Sequence, residues 1–277
     1  MYQIDWNIEE LTPHQKVIAD FIQKNMDSML YMTETEIANQ LHLSNATVSR
    51  FWKSVGFENF KAFKNDLKRH REISPANKLE QIMNHVEPNG IQTEMLALSS
   101  LHLQETLLHF SVETFQQAIH AMTTSERIFI YSPGPSEGLA HLLHFRLSRF
   151  GLTIQILPKS GHELFETLVH FTEKDTVLLF GFVQLHPETK VILNHANDIG
   201  CKSIVITDRL VSDFNTTADI VLYTSRGELW EFHSIVAPTF LLENLIIGIG
   251  MDMKEQSIIQ LEKLNELRKN YKDLLPR

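Results

Sequence analysis

Short polar side chains and two basic residues cluster between residues 44 and 53, in the run SNATVSRFWK. Hydroxyl and amide groups at the start of a helix can bind phosphate oxygens or base edges, and the positive end of the helix dipole favours phosphate. An arginine can also bind guanine through two parallel hydrogen bonds. We therefore predict a DNA contact surface formed by Ser44, Asn45, Ala46, Thr47, Ser49, Arg50 and Lys53. Ser44 fits the role of a plain helix cap equally well.

The charge distribution supports this prediction more than the total charge does. The 277-residue chain carries a net charge of −9, which taken alone argues against binding to nucleic acid. From Thr47 to Arg71, however, seven basic residues outnumber two acidic ones and give a local charge of +5. DNA meets one face of a protein and not its average, so this local excess is the informative quantity. Lys61, Lys64 and Lys68 fit a solvated helix face better than a DNA contact.

Four helices are predicted to position these residues. The Thr-Pro step at 12–13 begins the first helix, and Thr33 with Glu36 forms a capping box at the start of the second. The third is predicted over 45–55, and the fourth over about 58–70. A tight turn between the second and third helices makes this pair a helix-turn-helix.

The pattern changes after residue 126, where short apolar runs alternate with amphipathic segments. Continuous apolar strands separated by helices predict a parallel sheet covered on both faces. The strands are predicted at 128–131, 153–157, 176–180, 203–207 and 219–223. The helices between and after them are predicted at about 136–150, 162–171, 187–199 and 230–251, and a last charged helix at 252–274. One or two further helices are predicted over 92–122, which gives an α and α/β fold class.

The N-terminal helices resemble a known family. The T-V-S-R-F core from Thr47 to Phe51 is followed by a G-F-x-x-F-x-x-F pattern from Gly56 to Phe63. Both features resemble the N-terminal domain of the RpiR family of bacterial transcription regulators. In that family the third helix reads the operator, which places this role on residues 44–53. The resemblance also implies a C-terminal SIS (sugar isomerase) domain, a five-stranded parallel sheet that binds phosphosugars.

The implied organisation has four parts. Residues 1–75 form the helix-turn-helix domain and 76–108 a helical linker. Residues 109–250 form the SIS-type sensing domain, and 251–277 a C-terminal helix. One recognition helix reads only a few base pairs, so a homodimer or homotetramer on a double-stranded operator is expected.

Two loops are candidates for the effector site, because ligands of such sheets bind beyond the carboxyl ends of the strands. The resemblance implies a G-x-G-x-S loop after the first strand and an S-x-S-G-x-T loop after the third. The matching positions, with several replacements, are Ser132, Gly134, Ser136, Gln184, His186 and Thr189. Prolines in both loops remove N–H groups that could hold phosphate. His186 can bind phosphate when protonated or be an ordinary surface residue, so the domain either binds a phosphosugar or only oligomerises.

An enzyme is the less favoured alternative. A phosphosugar isomerase needs a base over the sugar carbons, and Glu228, Glu231 and His233 lie where such a base could come from. No intact phosphate loop accompanies them, so no catalytic residue is predicted. The pairs His141 with His144 and His102 with His109 lack further metal ligands, so neither a metal nor another cofactor is expected.

The remaining composition indicates a cytoplasmic protein. A single cysteine, Cys201, fits a reducing compartment, and the acidic N-terminus does not resemble a signal peptide. The longest apolar run, at 235–251, is interrupted by Pro238 and Glu243 and is interpreted as a buried helix and not a membrane span. The sequence thus predicts a DNA-binding transcriptional regulator, of carbohydrate or amino-sugar metabolism.

Overall fold

The structure, a computed structural model, describes residues 6, 11–26, 28–70, 76, 78–79, 82–83, 90–182, 186–227 and 232–275. The chain divides into two compact units. The smaller comprises Met1–Pro88 and Glu228–Phe232, and the larger comprises Asn89–Gly227 and His233–Arg277.

The described helices of the smaller unit agree closely with the predicted ones. They are α1 (Pro13–Lys24), α2 (Glu34–Gln40), α3 (Asn45–Ser54) and α4 (Phe60–His70). The predicted capping box is present at α2, where the backbone N–H of Thr33 donates to Glu36 Oε2 over 2.7 Å. Helix α4 begins at Phe60, two residues later than predicted, because Asn59 caps it by accepting a bond from the N–H of Ala62.

Aromatic side chains hold these helices together. Trp52 of α3 is fully buried, and its ring stacks on those of Phe60 and Phe63 with centroids 4.8 Å apart in both pairs. Its indole Nε1–H donates to Glu34 Oε1 over 2.9 Å, which ties α3 to the first turn of α2. Since stacking and the indole bond act on the same residue, Trp52 fixes the inner face of α3 and leaves its other face outward.

The larger unit is built around a parallel sheet. Its helices are α5 (Ile91–Leu108), α6 (Val112–Thr124), α7 (Glu137–Ser148), α8 (His162–Leu168), α9 (Pro187–Ile199), α10 (Phe214–Thr217), α11 (Val236–Met253) and α12 (Glu255–Asn270). Its strands are β1 (Ile128–Tyr131), β2 (Ile154–Ile156), β3 (Thr176–Gly181), β4 (Lys202–Thr207) and β5 (Ile220–Tyr223). The strand order is β2-β1-β3-β4-β5, and each neighbouring pair is parallel.

Both faces of the sheet are covered, which explains why its strands are apolar without alternation. Residues of β1 and β3 such as Ile130 and Leu178 pack with α6, α7 and α11 on one face. Their neighbours in sequence, Phe129 and Val177, pack with α8 and α9 on the other face. The predicted five-stranded sheet is confirmed.

The C-terminal helices differ from the predicted ones. The helix predicted to end at 251 continues to Met253, and the final helix runs from Glu255 to Asn270. Lys254 separates them with a φ of 47°, a left-handed value that a non-glycine residue rarely adopts. Helix α11 is the one helix in the described ranges that is long and apolar enough to cross a membrane. Its buried residues, among them Leu241 and Leu245, pack against the sheet.

Candidate nucleic-acid interface and effector site

The start of α3 presents the predicted DNA contact residues at the end of a tight turn. The turn is closed by a bond from the N–H of Leu43 to the carbonyl of Ala38, and His42 adopts a left-handed φ of 53° within it. Ser44 then caps α3, with Oγ accepting from the N–H of Thr47 over 3.1 Å and lying 2.8 Å from Thr47 Oγ1. Ser44 therefore has the capping role, and its hydroxyl is shared with Thr47.

Most of the predicted contact residues lie on the outer face of α3. Six are exposed, namely Ser44, Asn45, Ala46, Ser49, Arg50 and Lys53. Thr47 is half-buried, and its Oγ1 is hydrogen-bonded to Ser44 Oγ. Arg50 donates from Nε to the carbonyl of Ala46 over 3.1 Å, which holds the guanidinium along the helix. The resulting surface combines amide, hydroxyl and basic groups, as contacts to DNA require.

Sequence reasoning missed one residue of this surface, Thr35. Its Oγ1 accepts a bond from Asn45 Nδ2 over 3.3 Å, and both residues are exposed. The contact joins the first turns of α2 and α3, so two helix N-termini lie side by side. Unsatisfied N–H groups at such ends attract phosphate.

Lys64 departs from the predicted solvated face. Its Nζ donates to the carbonyl of Met32 over 2.5 Å and lies 4.6 Å from the centroid of the Phe60 ring. The side chain thus joins α4 to the segment that precedes α2 and contributes to the packing of the domain. Lys61 is exposed as expected, while the side chain of Lys68 lies outside the described part of the chain.

The predicted effector loops follow β1 and β3, which are adjacent in the sheet. Helix α7 follows β1 on one face, and α9 follows β3 on the opposite face. This reversal is the topological switch point, where parallel sheets open a crevice beyond the carboxyl ends of their strands. The topology therefore brings the two loops together at one edge.

The first loop folds into a tight turn whose serine side chains are buried. It forms a 3-10 turn over Gly134–Ser136, and Gly134 has a φ of 60° that favours glycine. Ser132 and Ser136 are buried, and Ser136 Oγ donates to the carbonyl of Pro133 over 2.7 Å. The hydroxyl of Ser136 is thus already used as a donor within the loop.

The second loop is described only in part. Gln184 lies outside the described residues. His186 is half-buried at the position before α9, without a side-chain capping bond, and Thr189 is buried in the first turn of that helix.

A cation that sequence reasoning missed lies beside the first loop. Lys159 donates from Nζ to Glu137 Oε2 over 2.8 Å, and its carbonyl accepts a bond from the Tyr131 hydroxyl. The bond from Lys159 lowers the pKa of Glu137. The negative charge of Glu137 at this edge is therefore matched by a positive one.

Three more side chains lie at the same edge, just after β3, β4 and β5. Phe182 comes directly after β3, Asp208 directly after β4, and Arg226 three residues after β5. Arg226 Nη1 lies 3.4 Å from Asp208 Oδ2, and the guanidinium carbon lies 4.3 Å from the centroid of the Phe182 ring. Burial lowers the pKa of Arg226 while Asp208 raises it, and an arginine remains charged at neutral pH.

A buried polar network lies next to Arg226. Ser225 Oγ donates to Glu105 Oε2 over 2.6 Å, and the Tyr223 hydroxyl donates to Glu105 Oε1 over 2.9 Å. The bond from Ser225 is the main reason that the pKa of Glu105 is lowered. His102 Nδ1 lies 3.2 Å from Ser225 Oγ, so this histidine serves the link between α5 and the end of β5.

The structure adds no support for the candidate catalytic and metal-binding residues. Glu228 and Glu231 lie outside the described residues, and His233 is half-buried. Within the described ranges, no three His, Cys, Asp or Glu side chains converge as a metal site would need. Burial raises the pKa of Cys201 to about 12, so this thiol is not a ready nucleophile.

Known proteins share this organisation. Residues 1–74 match the family model of the rpiR-family helix-turn-helix domain. An uncharacterized HTH-type transcriptional regulator of Clostridium perfringens is 24% identical over 263 residues, which cover 89% of this chain and 90% of that protein.

Two solved structures share the fold. The sugar isomerase domain of an RpiR transcription factor from Sphaerobacter thermophilus has a TM-score of 0.60 at 20% identity, covering 64% of this chain and 99% of its own. NanR of Vibrio vulnificus, solved in complex with ManNAc-6P, has a TM-score of 0.58 at 16% identity, covering 99% of this chain and 98% of its own.

A helix-turn-helix domain followed by a SIS-type parallel sheet defines a DNA-binding transcription regulator. The turn between α2 and α3 and the aromatic core around Trp52 are the local features that build its DNA-binding half. Residues 1–74 therefore match the rpiR-family helix-turn-helix domain, the chain as a whole is similar to an HTH-type transcriptional regulator, and the α/β unit has the fold of the sugar isomerase domain of an RpiR transcription factor.

Proposed function

We propose that this regulator binds a double-stranded operator through the outer face of α3, as a homodimer or homotetramer, and that its SIS domain responds to a phosphorylated sugar. The observation that carries the DNA contact is the exposed row on α3 beside a fully buried Trp52. The proposed contact residues are those predicted from the sequence, with Thr47 acting through Ser44 and with Thr35 added. The cytoplasm is the proposed location.

A salt titration tests the DNA contact. Each phosphate contact contributes about 0.9 to the slope of log K against log salt concentration on duplex DNA. Lys53→Ala should therefore weaken binding to the gene's own upstream region and reduce the slope by about 1 per subunit. Lys24→Ala is the matched control, since Lys24 is exposed on α1 and pairs with Asp20. Equal slopes for the two variants would contradict the role of Lys53.

Base reading is tested separately with Arg50. Arg50→Ala should reduce the difference in affinity between operator and unrelated DNA, because a bidentate base contact is worth about 1–3 kcal/mol of discrimination. Fluorescence anisotropy on both duplexes measures this difference. A variant that loses the same affinity on both duplexes would assign Arg50 to the phosphates.

Two observations support the effector proposal. The two loops meet at the topological switch point of the sheet, and the structurally similar NanR was solved with a phosphosugar. A thermal-shift screen of sugar phosphates, ManNAc-6P included, is the direct test. A ligand at a hundred times its Kd stabilises the folded state by about 2.7 kcal/mol. No shift with any sugar phosphate would favour a domain that only oligomerises.

Catalysis is not part of the proposed function. The similar protein of Clostridium perfringens is an HTH-type transcriptional regulator, and the sequence of the second effector loop departs from a phosphosugar pattern at Gln184, His186 and Pro187. Isomerisation of a sugar phosphate in the absence of DNA, measured with a coupled assay, would show that the protein is an enzyme.

A further inference from the structure

Arg226 is an unusual charge for the edge of a parallel sheet. Its side chain is 6% exposed, and it lies where the chain leaves β5, the same edge that carries both effector loops. Arginine is rarely buried unless its N–H groups are paired. The pairing of this guanidinium therefore needs an explanation.

The pairing within the described residues is incomplete. Asp208 contacts Nη1 at 3.4 Å, longer than the roughly 2.7–2.9 Å of a strong charge-assisted bond. Nε is buried and has no hydrogen-bond partner among the described residues. Because Nη1 lies on the side of the guanidinium away from the Nε–H, the Asp208 contact leaves the Nε edge unused. A buried donor of this kind in a native protein indicates an unseen water, ion or ligand.

Phe182 determines which part of the guanidinium can be used. Its ring lies under the guanidinium carbon at 4.3 Å, so one face is covered by an aromatic contact. A new partner must then approach in the plane, along the Nε edge. Carboxylate and phosphate groups bind arginine in this side-on way, with two parallel hydrogen bonds.

We propose that Arg226 binds the phosphate or carboxylate of an acidic sugar derivative, and so supplies the positive charge that the altered loops do not provide. The inference rests on the proposed effector function and adds a named anchor to it. Proline replaces N–H donors in both loops, at Pro133, Pro135 and Pro187. Thr224 lies two positions before Arg226, and its Oγ1 is a second buried polar atom without a hydrogen-bond partner among the described residues.

The test is anion binding by the full-length protein, measured by thermal shift and by titration calorimetry. The probes are inorganic phosphate, glucose 6-phosphate, ManNAc-6P and glucuronate, with glucose as the neutral control. The wild type should be stabilised by at least one anionic probe and not by glucose. Arg226→Gln should weaken that binding about tenfold or more, and Arg226→Lys should restore only part of it, because lysine keeps the charge and loses the fork.

Matched variants separate binding from folding. Arg209→Gln removes an exposed arginine of the neighbouring loop and should bind the probe like the wild type. If Arg226→Gln does not fold, Asp208→Asn replaces it. That variant keeps Arg226 and removes the competing carboxylate, so it should tighten anion binding, whereas a purely structural ion pair predicts no gain in affinity.

The outcomes distinguish this inference from the proposed function. If a sugar phosphate stabilises the wild type and Arg226→Gln equally, the effector function stands and Arg226 is a structural residue only. If no anionic probe binds the wild type, both the effector function and the role of Arg226 are refuted.

Discussion

Replacing Phe63 by alanine should lower the temperature at which DNA binding is lost, although it changes no proposed contact residue. Phe63 lies on α4, is fully buried, and packs against three other aromatic rings. Its ring centroid is 4.8 Å from that of Trp52, 5.3 Å from that of Phe57 and 6.1 Å from that of Phe60. The first of these contacts supports the inner face of α3.

The expected cost is large for a unit of this size. A buried Phe→Ala substitution costs about 3–5 kcal/mol from lost burial and the cavity left behind. A unit of about 90 residues is expected to have a free energy of unfolding of about 5–14 kcal/mol. The substitution therefore removes a large share of the stability. At about 4–8 °C per kcal/mol, the Tm of the smaller unit should fall by about 12 °C or more.

The assay combines calorimetry with DNA-binding titrations at increasing temperature. Affinity should be lost at the temperature where the smaller unit melts, while the transition of the α/β unit stays at its wild-type temperature. Lys61→Ala on the exposed face of the same helix is the control and should leave both transitions in place. Wild-type melting of both units in Phe63→Ala would refute the view that the aromatic cluster holds α3.

Three further substitutions test particular contacts. Lys64→Met keeps the packing on the ring beneath it and loses one hydrogen bond, so urea melts should show a loss of about 1 kcal/mol. The salt slope of DNA binding should not change, unlike that of a phosphate contact. Burial alone would raise the pKa of Asp175, but bonds from Arg127 and a threonine outweigh it and leave the pKa lowered. The α/β unit should therefore be fully stabilised at neutral pH and lose stability below about pH 4, the ordinary aspartate range. Asp175→Asn should cost about 3 kcal/mol at pH 7 and flatten that pH dependence in urea melts. Ser225→Ala leaves Glu105 short of a buried donor, so hydrogen exchange should speed up in α5 at a cost of about 1–3 kcal/mol.

The smaller unit was predictable because its determinants are local. The Thr33–Glu36 capping box, the tight turn at 42–43 and the stop near Gly56 each involve residues within five positions of one another. The strands were placed within a residue or so, since buried parallel strands are continuous apolar runs. The start of α4 shifted because the Asn59 cap was overlooked, whereas α11 starts at Val236 and not near 230, and α12 at Glu255 and not at 252, without a side-chain cap at either start.

The roles of individual polar side chains were not predictable in the same way. Lys64 bonds to a carbonyl 32 positions away, and Ser225 bonds to Glu105 across 120 positions. Periodicity assigns a residue to a face of its own element, but it does not say which distant group that face meets. Lys64 therefore fitted a solvated face by periodicity and proved to be a packing residue.

At the effector edge, topology and chemistry must be considered together. The strand order places the ends of β1 and β3 at the switch point, so the two loops predicted from the sequence are at the expected place. Their prolines and the internally bonded Ser136 reduce the number of amide and hydroxyl donors that remain for a phosphate. Two positive charges remain at this edge, on Lys159 and Arg226. Lys159 lies 2.8 Å from one carboxylate, and Arg226 lies 3.4 Å from another. The exposed pair of Lys159 is screened by salt, whereas the buried pair of Arg226 is not. An anion held here should therefore bind with little dependence on ionic strength, and a steep dependence would instead point to Lys159.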